Sequence, residues 1–246
     1  MENLILYKSP FNKKRVGKDN DGGYVIVDLP DTYDTFISGG IAGDITFENN
    51  FLDTYPNLLC YAFDRTVSKL PDNTNNRIIF IKKNLGDSNN ENLTDLQKYI
   101  QPYNNIFMKI DIEGHEFKIM PIIIKNNLLY KIKQLVIEIH SPGDIHMHPD
   151  YYKGLSDINN SIMFDIFKKI NNTHTLVHFH ANNGCKLQRI DGIILPHVFE
   201  LTYIRNDFIN EKIKNTDPLP TALDMKNVSY MDDYSFEGFP YSSLII

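Results

Sequence analysis

The sequence predicts an open α/β fold, a mostly parallel seven-stranded sheet with crossover helices on both faces. Runs rich in Ile, Val, Phe and Tyr recur along the 246 residues with helical or polar stretches between them, as in strands joined by crossover helices. Hydrophobic residues make up 42% and charged residues 23%, so the chain is globular rather than disordered or fibrous. At this length one core buries about 70 to 75% of the chain's surface, and no covalent staple is needed.

In chain order, residues 1–33 read as an N-terminal cap or hairpin, because Asp21-Gly22 within the stretch 15–28 is a strong turn signal. Strands are expected over 34–39, 58–64, 78–82, 106–111, 134–140, 174–180 and 199–204, with helices over 45–55, 92–100, 115–125 and 162–170. The last strands are expected to form an antiparallel edge. Residues 215–246, rich in Pro, Asp, Ser and Tyr with weak periodicity, read as a surface-wrapping tail. Its Tyr230, Tyr234, Phe236, Phe239 and Tyr241 are too many for a solvated segment and are expected to cover the sheet edge. The whole chain, 1–246, is read as a single domain.

The net charge of -6 would repel a phosphate backbone, which argues against nucleic acid as a partner. No apolar run is long enough to span a bilayer, and the N-terminus has no basic segment followed by a long apolar one, so no membrane partner or export is expected. Cys60 and Cys185 form neither a disulfide framework nor a thiolate zinc set, which fits a reducing cytoplasm.

Two features point to a nucleotide-like cofactor. The turn after the first sheet strand reads Ser38-Gly39-Gly40-Ile41-Ala42-Gly43-Asp44, and small residues there allow close backbone approach. One helix later, Asp64 ends the second strand, where a carboxylate can accept hydrogen bonds from both hydroxyls of a ribose. The spacing departs from Gly-x-Gly-x-x-Gly, which favours S-adenosylmethionine over a dinucleotide. Asn84-Leu85-Gly86-Asp87 follows the third strand and is placed to touch an adenine ring or its exocyclic amine, with Gly86 and Asp87 as the candidate site residues; an ordinary turn is the alternative.

Open sheets bind ligands beyond the carboxyl ends of their strands. Strand four ends in Lys109, Asp111, Glu113 and Glu116, strand five in Glu138 and His140, and strand six in His178 and His180. Period-two geometry places Glu138 and His140 on one face, and likewise His178 with His180. Asp111, Glu138 and His140 are candidate ligands for Mg or Mn, and Asp111, His140 and His180 are candidate catalytic groups, with either histidine as the base. Glu113 and Glu116 are weaker candidates, since acids at a helix start stabilise its dipole without chemistry. Lys109 is either a buried partner of Asp111 or a solvent-facing strand residue.

Taken together, segments 17–24 (GKDNDGGY), 38–48 (SGGIAGDITFE), 109–116 (KIDIEGHE), 138–140 (EIH), 178–183 (HFHANN) and 196–205 (PHVFELTYIR) resemble the FkbM-type class I methyltransferases. The resemblance covers most of the chain to about Asp207, with Lys-Ile-Asp-Ile-Glu-Gly its most specific part. It implies a Rossmann-like fold, a cofactor held by Gly39, Gly40, Gly43 and Asp64, and O-methylation of a sugar or polyketide hydroxyl. It further implies similarity to enzymes that methylate capsular sugars carried on a nucleotide, such as a GDP-linked heptose. Ala42 stands where that family often has Gly, and His115 replaces a usually small residue, which is expected to reshape the acceptor pocket. The rival readings are a catalytically silent nucleotide-sugar-binding subunit and a nicotinamide-dependent oxidoreductase. An oligomer is compatible with all three.

Overall fold

The computed structural model describes residues 2–243. A hairpin of β1 (Lys13–Gly17) and β2 (Gly23–Val27) turns through Asp21-Gly22. It is followed by β3 (Thr35–Gly39), α1 (Thr46–Thr54), β4 (Cys60–Phe63), β5 (Ile78–Ile81), the two-residue strands β6 (Asn84–Leu85) and β7 (Leu93–Thr94), and α2 (Gln97–Ile100). Next come β8 (Ile106–Ile110), α3 (Glu116–Lys125), β9 (Ile132–His140), α4 (Pro142–Met147) and α5 (Asn160–Asn171). The last elements are β10 (His174–Ala181), β11 (Leu187–Ile190), β12 (Ile193–Pro196) and β13 (Val198–Arg205).

Seven strands form the central sheet in the order β10-β13-β9-β8-β3-β4-β5. Only β13 runs antiparallel to its neighbours. It lies between β9 and β10, so the expected antiparallel edge is an antiparallel strand one position inside the edge. The chain starts at β3, builds outward to β5, then returns to lay β8 on the other side of β3. That reversal opens a crevice beyond the carboxyl ends of β3 and β8.

Alternation along the strands sorts the core into two layers. Ile37, Met108 and Ile137 pack with Phe117, Ile119, Met120, Phe167 and Ile170 of α3 and α5. Phe36, Phe107 and Val136 face the other way, onto Phe47 and Phe51 of α1 and Tyr24 and Ile26 of the hairpin. Helices therefore lie on both faces, but the second face is shared with the hairpin, which covers the strand ends from which Asp111 and Glu138 project.

The helix expected over 92–100 forms only as α2. Leu93–Thr94 pairs with Asn84–Leu85 instead, Leu96 adopts a left-handed φ of 62°, and Asp95 Oδ1 takes the Gln97 amide at 3.1 Å. The sequence reading also passed over α4, which starts at Pro142, and the β11–β12 hairpin. That hairpin turns on Asp191-Gly192 at φ 48° and 87°, where an Asp-Gly pair suits the two left-handed positions. Among the described residues no helix is long and apolar enough to cross a membrane.

The tail threads over β10 and β13. Phe236 meets Phe179 edge-on and Tyr241 packs against it at a tilt, the Tyr241 hydroxyl donates to the Ile194 carbonyl at 2.6 Å, and Asn215 donates to the Tyr241 carbonyl at 3.0 Å. Phe236 and Tyr241 are buried, whereas Tyr230 and Phe239 are exposed. Residues 244–246 of the expected tail lie outside the described residues.

Candidate active site

Two clefts adjoin at the crevice. The first, about 410 Å³, is lined by Gly40, Ala42, Phe63, Asp64, Thr66, Asn84, Leu85, Asp111, Ile112, Glu113, His115 and Tyr151. Small-molecule sites commonly span roughly 300 to 1,000 Å³. Gly40 makes the turn possible: its φ is +78°, and a Cβ there would sit 1.5 Å from the Asp111 carbonyl oxygen. Lys109, buried beneath, donates to the Gly40 carbonyl at 2.9 Å and lies 3.9 Å from Asp111, so it is a buried partner rather than a solvent-facing residue.

Asp64 braces this turn. Its Oδ2 accepts the amides of Ile41 and Ala42 at 3.1 and 2.9 Å, while Oδ1 accepts the Thr66 amide and hydroxyl at 2.7 and 2.6 Å. Burial opposes its ionisation, but these bonds outweigh burial and hold its carboxyl below the usual carboxylate range. A carboxylate offers about four lone-pair sites, and four are in use, so a ribose would have to displace one of these donors.

The other residues expected at the cofactor are placed differently. Ser38 is buried and donates to Glu48 at 2.5 Å, and Gly39 lies beneath Leu85. Neither they nor Gly43 lines the cleft, although Gly43 completes its turn at φ +81°. Of the 84–87 segment expected at an adenine ring, Asn84 and Leu85 line the cleft, whereas Gly86 and Asp87 do not.

The second cleft, about 360 Å³, is lined by Asp21, Asp111, Glu113, Glu138, His140, Asp144, His148, Tyr151, Tyr152, Asn182, Cys185 and Val198. Register explains the convergence, because Glu138 pairs with Glu200 on β13 and Asp111 follows β8 beside it. The hairpin's Tyr24 reaches in from above. Its buried hydroxyl donates to Asp111 Oδ2 at 2.7 Å and lies 3.3 Å from Glu138 Oε2. Burial pushes the Asp111 carboxyl up, and burial together with the Asp111 charge pushes Glu138 up as well, so the adjacent pair resists losing its last proton.

His140 sits between carboxylates, with Nε2 at 3.1 Å from Glu113 Oε2 and Nδ1 at 3.4 Å from Glu116 Oε1. Burial disfavours the imidazolium, yet Glu113 and Glu116 outweigh burial and hold the His140 pKa well above its ordinary value. An imidazole that is already protonated cannot take a proton, which argues against His140 as the base in this state. One donor atom each from Asp111, Glu113 and His140 lies within 4.8 Å of the others, so the grouping able to hold a metal includes Glu113 in place of Glu138.

His180 is absent from the lining of both clefts. It is 2% exposed as a side chain and lies beneath the tail, with Nε2 at 3.3 Å from Asp233 Oδ2 and Nδ1 at 3.7 Å from Glu200 Oε2. Burial opposes its charge, but these carboxylates raise its pKa to about 10. His178 pairs with Asp224 of the tail at 2.8 Å. Facing and exposure thus part company: period two correctly gives the face of His180, but the tail covers it. His115, expected to shape the acceptor pocket, lines the first cleft. Sequence reasoning missed Tyr24 and Tyr151 as site residues. The Asp-Gly-Gly-Tyr run was quoted, but only the fold shows that its tyrosine meets Asp111.

By sequence, the chain matches no family model and no curated protein. Among solved structures, it is similar to the Methanococcus jannaschii fibrillarin pre-rRNA processing protein at 16% identity and a TM-score of 0.41, over 80% of this chain and 84% of that one. A precorrin-6Y C5,15-methyltransferase from Geobacter metallireducens gives 10% identity and a TM-score of 0.37 over 72% and 81%. The plantazolicin methyltransferase in complex with SAH gives 10% and 0.37 over 72% and 77%. Likenesses this distant bear on neither substrate nor mechanism. By its own strand order and directions, the chain has a mostly parallel, seven-stranded sheet of the Rossmann-like kind with one antiparallel strand.

Proposed function

We propose that this chain is an S-adenosylmethionine-dependent O-methyltransferase acting on a sugar hydroxyl, with a nucleotide-linked, GDP-type heptose as the substrate class that the FkbM resemblance suggests. The observation that carries this reading is the pair of adjoining clefts sharing Asp111, Glu113 and Tyr151. One has a glycine turn, a strand-end carboxylate and an apolar floor of Phe63 and Leu85, suited to the cofactor. The other is polar and lined with hydrogen-bond acceptors, suited to a polyol.

Bound S-adenosylmethionine supplies a methyl group on a sulfonium, already a good leaving group, so the chain's task is to align the hydroxyl and remove its proton. Asp111 borders both clefts and is the carboxylate we assign as base. Burial raises its pKa above the ordinary carboxylate value, while Tyr24 fixes its orientation. Glu138, whose carboxyl burial also pushes up, gives the acceptor a second polar contact. His140, held as a cation, offsets the negative charge of this rim.

A divalent cation such as Mg or Mn is compatible with the oxygen and nitrogen donors of Asp111, Glu113 and His140. It would replace the proton on His140 and lower the pKa of a bound hydroxyl. A chelator then abolishes turnover while leaving cofactor affinity intact. Unchanged turnover assigns the work to the metal-free carboxylates.

The functional test is mass spectrometry of nucleotide-sugars incubated with the protein and S-adenosylmethionine. The expected result is an acceptor heavier by one methylene. Absence of that product across neutral hexose and heptose acceptors, with the cofactor bound, would leave the silent binding subunit as the better reading.

A further inference from the structure

Tyr151 is 66% exposed, yet its position is well defined. Its amide donates to the His148 carbonyl at 3.0 Å, and its ring meets Tyr152 edge-on, centroids 4.9 Å apart at 89°. Tyr152 is anchored in turn by its hydroxyl on Asp144. Together with Asp111 and Glu113, Tyr151 lines both clefts, and among the described residues it is the only aromatic one that does so. An exposed ring held at the junction of the two clefts offers a flat apolar surface where the reacting groups must meet. The C–H face of a pyranose is such a surface's complement, and its hydroxyls are the complement of the surrounding oxygens.

The charge of the second cleft adds a constraint. Asp21, Asp111, Glu113, Glu138 and Asp144 line it, with no lysine or arginine among the lining residues. Ionised carboxylates only accept hydrogen bonds, which suits sugar hydroxyls as donors. A carboxylate or phosphate on the ligand would meet like charge there, and the imidazolium lining the cleft, His140, is already paired with Glu113 and Glu116, so hydration would be lost without a free ion-pair partner in return.

We propose that Tyr151 is the platform on which the acceptor ring lies, and that the second cleft admits an uncharged polyhydroxylated ring while excluding one that bears an anionic group. The proposal rests on reading that cleft as the acceptor site. It follows that the phosphates of any nucleotide carrier lie outside the cleft.

The chain contains no tryptophan, so Tyr151→Trp installs a single fluorescent reporter at the junction. This variant, saturated with S-adenosylhomocysteine, is titrated with methyl glucopyranoside and with methyl glucuronide, which differ in one carboxylate. The expected result is a saturable change in emission with the neutral glycoside and binding at least tenfold weaker for the glucuronide. In the native background, calorimetry should show that Tyr151→Ala loses at least tenfold in affinity for the neutral glycoside. Equal affinity for both glycosides overturns the charge exclusion. No emission response to either, or unchanged affinity in Tyr151→Ala, overturns the platform. Failure of the chain to bind S-adenosylhomocysteine in the same calorimeter contradicts the methyltransferase reading, while the glycoside comparison, repeated without it, still decides this proposal.

Discussion

His140 shows how an unpromising local environment can be made to hold charge. Buried, it would ordinarily be neutral, but Glu113 at 3.1 Å and Glu116 at 3.4 Å keep it protonated, and of the two carboxylates facing both clefts Glu113 is engaged by that imidazolium, which leaves Asp111 to take the proton. Asp111→Asn is therefore expected to lower turnover by ~10²- to 10⁴-fold, the usual worth of general base catalysis, with little change in cofactor affinity. Steady-state kinetics beside calorimetry separates the two effects. Ala42, at φ 42°, holds a left-handed conformation that costs an L-residue about 1 to 2 kcal/mol. Relief of that strain should outweigh the added chain entropy of glycine, so Ala42→Gly is expected to stabilise the fold by about 1 kcal/mol in urea unfolding. Asp111, Glu138 and His140 were legible in the sequence because strand periodicity fixes facing. Glu113 ranked only as a weaker candidate, since its approach to His140 depends on the left-handed turn at Glu113-Gly114.

The tail is the element whose role changes most between sequence and structure. Its aromatic content announced burial, and Phe236 and Tyr241 do close over Phe179, but the polar pairs of Asp224 with His178 and Asp233 with His180 had no sequence signal. Such pairs join residues far apart in the chain. Phe236→Ala is expected to cost about 3 to 5 kcal/mol, the range for emptying a buried phenylalanine site, as read by denaturant unfolding. The His180 pair gives the fold a pH dependence whose sign is set by its raised pKa. Protonated in the folded state up to about pH 10 but near its ordinary value when unfolded, His180 contributes stability fully below pH 6.5. That contribution falls away as pH rises toward 10. A native chain whose stability advantage over His180→Asn did not shrink across that window would contradict this assignment. The buried strands were readable because both faces of β9 and β10 are apolar or packed, whereas the short β6, β7 and α2 are held by tertiary pairing that local sequence does not encode.

For the chain as a whole, the order of the strands matters more than any one of them. Returning to β8 after β5 creates the crevice, the hairpin delivers Tyr24 across it, and the tail fixes the far wall through Asn183 and Cys185. Asp64 sits where the first cleft meets the sheet, so Asp64→Ala is expected to weaken cofactor binding by roughly 1.5 to 3 kcal/mol, partly by releasing the Ile41 and Ala42 amides. Unchanged affinity in a folded variant would show that the cofactor binds elsewhere. The central claim is transfer of a methyl group to oxygen with Asp111 as the base. It is tested most directly by incubating the protein with S-adenosylmethionine carrying a ¹³C-labelled methyl group and a panel of nucleotide-linked sugars, and observing the carbon by NMR. The account predicts a new O-methyl ether resonance with the native chain and almost none with Asp111→Asn over the same interval. Full signal from Asp111→Asn, or none from a native chain shown to bind the cofactor, would contradict it.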